Sequence, residues 1–172
     1  GPRGSGKTHL ASILKNKTRT MTIESKNLKD QTFFEFKLKE VLVLENLQET
    51  ISENLLFSLY NFALQDNKYI LITSKKSITE YSFKLPDLKS RIKDITIIGI
   101  DLPSDDLIGV ILSKNFSDKQ IKVEKKHIDF IIKRIDRSYE KISQFISILD
   151  KYSLKKGSPF NLKLIKEVLK MI

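Results

Sequence analysis

The chain opens with Gly1-Pro-Arg-Gly-Ser-Gly-Lys-Thr8, which meets the spacing G-x-x-x-x-G-K-[ST] at Gly1, Gly6, Lys7 and Thr8. Three of its six glycines fall within these first six residues, a concentration that an ordinary glycine turn capping a helix does not need. Glycine there lets successive backbone N–H groups curl around an anion with no Cβ in the way, so Gly1, Gly4, Ser5 and Gly6 would cradle phosphates. Lys7 would reach the β- and γ-phosphates and Thr8 would place its hydroxyl on Mg²⁺. The helix that begins here adds its positive N-terminal dipole. ATP or ADP with Mg²⁺ is the ligand that this chemistry selects. Such a loop follows a buried strand, and no strand pattern precedes Gly1. The expectation is an α/β domain with a parallel sheet whose N-terminal strand is missing.

Hydrophobic patterning supports that class. Thr8 to Leu14 has helical spacing that turns Leu10 and Leu14 inward, and Thr20 to Ile23 reads as a short strand. Phe33 to Leu38 is of open type. Val41-Leu-Val-Leu44 is a continuous apolar run, as in strands buried on both faces of a parallel sheet. Ser52 to Leu64 reads as a helix, Tyr69 to Thr73 as a second buried strand and Ile95 to Ile98 as a third. From Leu102 onward four helical stretches follow, at Ser104–Asn115, Glu124–Ile135, Ser138–Tyr152 and Leu162–Met171, with Gly157-Ser-Pro159 between the last two. An α/β part, residues 1–101, is thus followed by a small all-α part, residues 102–172.

Composition removes several alternatives. The 172 residues contain no cysteine, so disulfides and thiolate metal sites are excluded, and two histidines leave little for zinc. No apolar run is long enough to span a bilayer, which points to a cytoplasmic protein without a membrane partner. The net charge of +10 invites a nucleic-acid reading, but the excess is carried by 26 Lys against 5 Arg, as on generic solvated faces. Arginine is the residue suited to planar phosphate recognition, so the positions of the five are informative.

The loop, Val41-Leu-Val-Leu-Glu-Asn-Leu-Gln48, Ile70-Leu-Ile-Thr73 and Leu85-Pro-Asp-Leu-Lys-Ser-Arg-Ile92 come in an order and at spacings that resemble the AAA+ P-loop module of the DnaA/Hda family. Lys133-Arg-Ile-Asp-Arg137 and Leu164-Ile-Lys-Glu-Val-Leu169 resemble segments of that family's helical lid. Nearly the whole chain is covered. The resemblance implies an AAA+ core over 1–101 with a lid over 102–172. It is nearer to the Hda-like regulators of DnaA than to DnaA itself, because no helix-turn-helix domain follows the lid and Glu45-Asn46 is closer to the Asp-Asn of Hda than to Asp-Asp.

Carried over by resemblance, Glu45 takes the place of the Mg²⁺-associated carboxylate and Asn46 that of the second acid, which activates the attacking water in active relatives. An amide cannot accept that proton. Lys75 stands where sensor one is usually acidic, and the lid arginine of sensor two aligns with Glu140, or with Arg137 if the alignment slips by one turn. These departures imply weak or absent intrinsic ATPase activity with nucleotide binding retained. Arg91 matches the arginine finger that acts in trans on a neighbour's nucleotide; the plainer reading is an exposed arginine paired with Asp87 or Asp94. The resemblance therefore implies a regulator of replication initiation that promotes hydrolysis of DnaA-bound ATP. Its partners would be DnaA and, through a segment before the loop, the sliding clamp, with self-association and a weak direct contact with DNA left open. A self-sufficient ATPase of the helicase-loader or clamp-loader type, and a DnaA-related nucleic-acid-binding module, are the alternatives.

Overall fold

The computed structural model describes residues 1–121, 123–156 and 161–172, without the side chains of 153–156. The Gly157-Ser-Pro159 break lies outside the described residues. Two compact units emerge: Gly1 with Gly6–Ile100, and Pro2–Ser5 with Asp101–Ile172.

The first unit is built on a three-stranded parallel sheet of order β1-β2-β3, with β1 at Thr20–Glu24, β2 at Val41–Glu45 and β3 at Tyr69–Ile72. Thr20 lies opposite Val41, and Val41 in turn opposite Tyr69. Parallel neighbours need crossovers, and two helices supply them: α2 (Gln31–Lys37) between β1 and β2, and α3 (Glu53–Gln65) between β2 and β3. The segment left open in the sequence, Phe33 to Leu38, is thus mostly helix. β2 is the hub. Its four apolar residues are all buried, and their alternation serves two cores. Leu42 and Leu44 join Phe36, Leu56, Leu59 and Leu88 on one side, while Val41 and Val43 meet Ala11 of α1 (Lys7–Lys17) on the other.

Three local expectations are corrected. Ile95 to Ile98 is not a strand; its β-branched composition suits one, but none of the three strands offers it a hydrogen-bonding ladder, and Ile98 is left 83% exposed. β3 is half-buried rather than enclosed, with Tyr69 74% exposed, because among the described residues it has β2 as a neighbour on one side only. Leu10 points outward at 55% exposure, since Ala11 and Leu14 occupy the face of α1 that meets the sheet.

A further helix, α4 (Pro86–Ile92), begins with proline at its first position, where a missing N–H costs nothing. Its entry is fixed from α3. The Glu53 carboxylate accepts hydrogen bonds from the backbone N–H groups of Lys84, at 2.8 Å, and Leu85, at 2.6 Å. Those two bonds hold the Glu53 carboxyl below its ordinary value.

The second unit contains α5 (Asp105–Asp118), α6 (Lys125–Ile132), α7 (Tyr139–Lys156) and α8 (Leu162–Leu169). Ser104 and Asn161 cap α5 and α8 by accepting from Leu107 and Leu164 N–H groups. Each helix contributes one apolar face to a common core of Ile108, Leu112, Phe116, Ile131, Phe145, Leu149, Ile165 and Val168 among others. No helix among the described residues is long and apolar enough to cross a membrane.

Two outcomes follow. Leu59 is fully buried, so Leu59→Ala should cost about 2–5 kcal/mol in urea denaturation. A carboxyl whose folded pKa is depressed stabilises the fold above its unfolded value of 4.5 and loses that contribution as pH falls through the folded value. Glu53→Gln should therefore flatten the fall in urea midpoint between about pH 5 and pH 3; an identical fall in both proteins would show that the Glu53 bonds do not carry it.

Candidate functional site

Of the opening residues, Gly1 and those from Gly6 onward belong to the first unit and Pro2–Ser5 to the second, and each part has its own geometry. In the first unit, Gly6 is the N-cap of α1 and holds φ at +89°, a left-handed conformation that L side chains rarely adopt. A Cβ at Gly6 would meet nothing within 4 Å, so glycine is needed there for its backbone alone. The α1 N-terminus has no side-chain cap and no acidic residue in its first turn. No acid of its own first turn offsets its positive end, and exposed Thr8 lies in that turn. Lys7 turns back over the loop, donating from Nζ to the Gly1 carbonyl at 2.7 Å.

The segment just past the C-terminal end of β3 meets the same residues. Gly1 donates through its nitrogen to the Ser74 carbonyl at 3.1 Å. The next residue, Lys75, lies close enough to act on Lys7, whose ammonium is pushed below its ordinary value first by desolvation and then by the charge of Lys75. Two cations held against each other at a glycine loop form a site that a multiply charged anion would relieve.

Glu45 ends β2 opposite Glu24 of β1. Its Oε1 is buried and has no hydrogen-bond partner among the described residues. An orphaned carboxylate oxygen is costly unless something cationic, or a water held by a cation, satisfies it. The chemistry of Glu45 fits a hydrated divalent ion, since a carboxylate oxygen is a ligand of the kind Mg²⁺ takes, and the Thr8 hydroxyl is a donor of the same kind. No cluster of three or more His, Cys, Asp or Glu able to hold a metal by itself exists among the described residues.

Asn46 follows with φ at +58°. Its N–H donates to Thr73 Oγ1 at 3.2 Å, and its carbonyl accepts from Ser25 Oγ at 2.6 Å, so the ends of β1 and β3 fix its backbone. Asparagine tolerates the left-handed region better than most residues, which gives this side chain a conformational reason to be present as well as a chemical consequence.

Arg91, in the last turn of α4, is exposed. Neither Asp87 nor Asp94 pairs with it; its guanidinium carbon instead lies 5.8 Å from the centre of the Tyr60 ring of α3. Aromatic support of this kind directs an arginine without neutralising it. The residue that orients α4, Glu53, carries no motif in the sequence; its amide partners lie 31 and 32 residues along the chain, and only the fold brings them together.

In the second unit, Gly4 holds φ at +79°, and a Cβ there would come within 3.1 Å of Tyr139 and of the Glu140 nitrogen. Ser5 N–H donates to the Pro2 carbonyl at 3.4 Å. Glu140, in the first turn of α7, pairs with Arg3 at 3.7 Å. Arg137 pairs with Asp105 at 3.1 Å, so both residues assigned to the second sensor position engage partners within their own unit.

No protein-family model matches the chain. Over 99% of its length it is 27% identical to an uncharacterized protein of Haemophilus influenzae, of which it covers 80%. It is 24% identical to the chromosomal replication initiator protein DnaA of Borrelia garinii subsp. bavariensis, matching over its whole length but covering 40% of that relative. Among solved structures, domain III of the Thermotoga maritima replication initiation protein DnaA superimposes with a TM-score of 0.82 at 20% identity, over 99% of this chain and 81% of that one. The replication initiator DnaA bound to AMPPCP and single-stranded DNA gives 0.71 at 16% identity, over 91% and 56%. A glycine loop before α1, a parallel sheet ending in Glu45 and a following all-α unit give this chain the AAA+ fold of DnaA domain III, and over its whole length its sequence is similar to that of DnaA.

Proposed function

We propose that this chain binds ATP or ADP with Mg²⁺ through Gly1, Gly4, Ser5, Gly6, Lys7 and Thr8, and regulates replication initiation by supplying Arg91 to ATP held on DnaA. Residues 1–101 are then the nucleotide-binding core and 102–172 its lid. The observation that carries the reading is the contrast between two places in the first unit. At the loop, Asn46 offers no carboxylate to activate water and Lys75 adds a second cation, an arrangement suited to holding phosphates rather than cleaving them. On α4, Arg91 is exposed, supported by Tyr60 and free of the two acids nearest to it in sequence.

An arginine delivered to another subunit's γ-phosphate stabilises the charge that develops during transfer, an effect of about 10³ to 10⁵ in rate. Glu45, and Thr8 at the start of α1, would hold the metal of the chain's own nucleotide, which supplies charge neutralisation at the phosphates. Bound nucleotide would set conformation, and the catalytic contribution would be made elsewhere.

Turnover of DnaA-bound ATP should rise when the protein is added and lose that rise, by about 10³-fold, with Arg91→Ala. Equal stimulation by both proteins would sink the finger assignment. Lys7→Ala should weaken nucleotide binding in titration calorimetry by roughly 10–100-fold, as expected for loss of a charge-assisted contact. Steady phosphate release by the isolated wild-type chain, abolished in that variant, would instead identify a self-sufficient ATPase.

A further inference from the structure

The second unit carries a concentration of positive charge that the nucleotide reading does not use. In α8, Leu164, Ile165 and Val168 are buried, which turns Lys163, Lys166 and Lys170 to the opposite, exposed face. These lysines, with Leu162 and Glu167, line a surface groove of about 460 Å³. The Asn161 cap, accepting from Leu164 N–H at 3.0 Å, fixes where the helix starts and therefore where the stripe points.

Beside it, just past α6, the guanidinium of Arg134 lies 3.8 Å from the centre of the Phe130 ring and donates to the Phe130 carbonyl at 3.3 Å. Lys166 Nζ is 5.8 Å from the same ring, so the arginine and the stripe share one surface. None of Lys163, Lys166, Lys170 or Arg134 has an ion-pair partner among the described residues. Against them α6 and α8 offer Asp129 and Glu167 as their acids, too few to neutralise the face.

We propose that Lys163 and Lys166 of α8 and Lys170 just past its end, with Arg134 held on Phe130, form a surface that binds the phosphodiester backbone of a nucleic acid. The stripe runs seven residues, about 10 Å at the rise of an α-helix. One strand of a duplex carries a charge every 3.4 Å or so of its axis, so the stripe matches about three successive phosphates. Arg134 is already stacked and ordered, which leaves its N–H edges for a phosphate at little further entropic cost. The Phe130 ring is half-buried beneath that guanidinium and does not offer a platform for base stacking, so the surface reads charge and not sequence. A bilayer fits less well. The apolar face of α8 is already committed to the core and cannot be laid into a membrane interface.

The test uses the whole chain without nucleotide and a fluorescein-labelled single strand and duplex, each of ~20 residues per strand, followed by anisotropy from roughly 50 to 200 mM KCl. The combined variant Lys163→Gln, Lys166→Gln, Lys170→Gln should reduce the slope of log affinity against log salt by about 2–3 and weaken low-salt binding at least about tenfold. Arg134→Gln should reduce the slope by about 1. Lys15→Gln, Lys17→Gln, Lys29→Gln, an equal change of charge on exposed residues of the first unit, should leave the slope in place. The proposal is overturned if wild type binds neither probe, if the α8 variant keeps the wild-type slope, or if the first-unit variant loses as much. It is equally overturned if the α8 substitutions abolish binding to phosphatidylserine vesicles and leave nucleic-acid binding unchanged.

Discussion

Most of what positions the first unit's chemistry depends on four residues of β2 being buried on both faces. Val41 and Val43 can leave water only if α1 lies against them, and Leu42 and Leu44 only if α2, α3 and α4 close the other side. That demand fixes the beginning of α1, hence where Lys7 and Thr8 stand, at the same end of the sheet where the strand stops at Glu45. The charged and amide side chains at positions 45 and 46 fall where the apolar run ends, so the core and the site are two consequences of one strand's length. Shortening that run by a residue would turn the Glu45 carboxylate to the other face of the sheet.

The opposite arrangement holds around α4. This helix is seven residues long and buries Leu88 and Ile92, too little to fix its direction by packing alone. Glu53 supplies the missing constraint through two backbone amides, and Tyr60 of the same α3 supports the arginine that α4 presents. The exposed arginine on this short helix is thus seated by two contacts from α3, one to the helix start and one to the guanidinium.

The sequence disclosed most plainly those features whose physics is local. The glycine loop, the buried run of β2 and the amphipathic helices after Leu102 are each specified within a window of a few residues, and each was legible. Ile95–Ile98 was misread because strand composition is local while a ladder partner is not. The same reason hid the half-exposed state of β3 and the outward turn of Leu10, both set by which neighbour arrives on which side. Glu53 was invisible for a related reason: a glutamate in the first turn of a helix is common, and its amide partners lie about thirty residues away. At Asn46 the residue was noticed for the proton it cannot accept; the left-handed backbone that also favours it emerged only from the fold.

The Glu53 clasp has one more consequence, which concerns ionic strength. Its acceptors meet backbone N–H groups at hydrogen-bonding distance rather than a distant cation, so dissolved salt has little to screen. The Arg137–Asp105 and Arg3–Glu140 pairs are exposed charge pairs and lack that protection. The protein thus carries two kinds of polar fastening in different places. Added salt should loosen the pairs of the second unit more than the seat of Arg91 in the first, so the orientation of that arginine depends less on ionic strength than those pairs do.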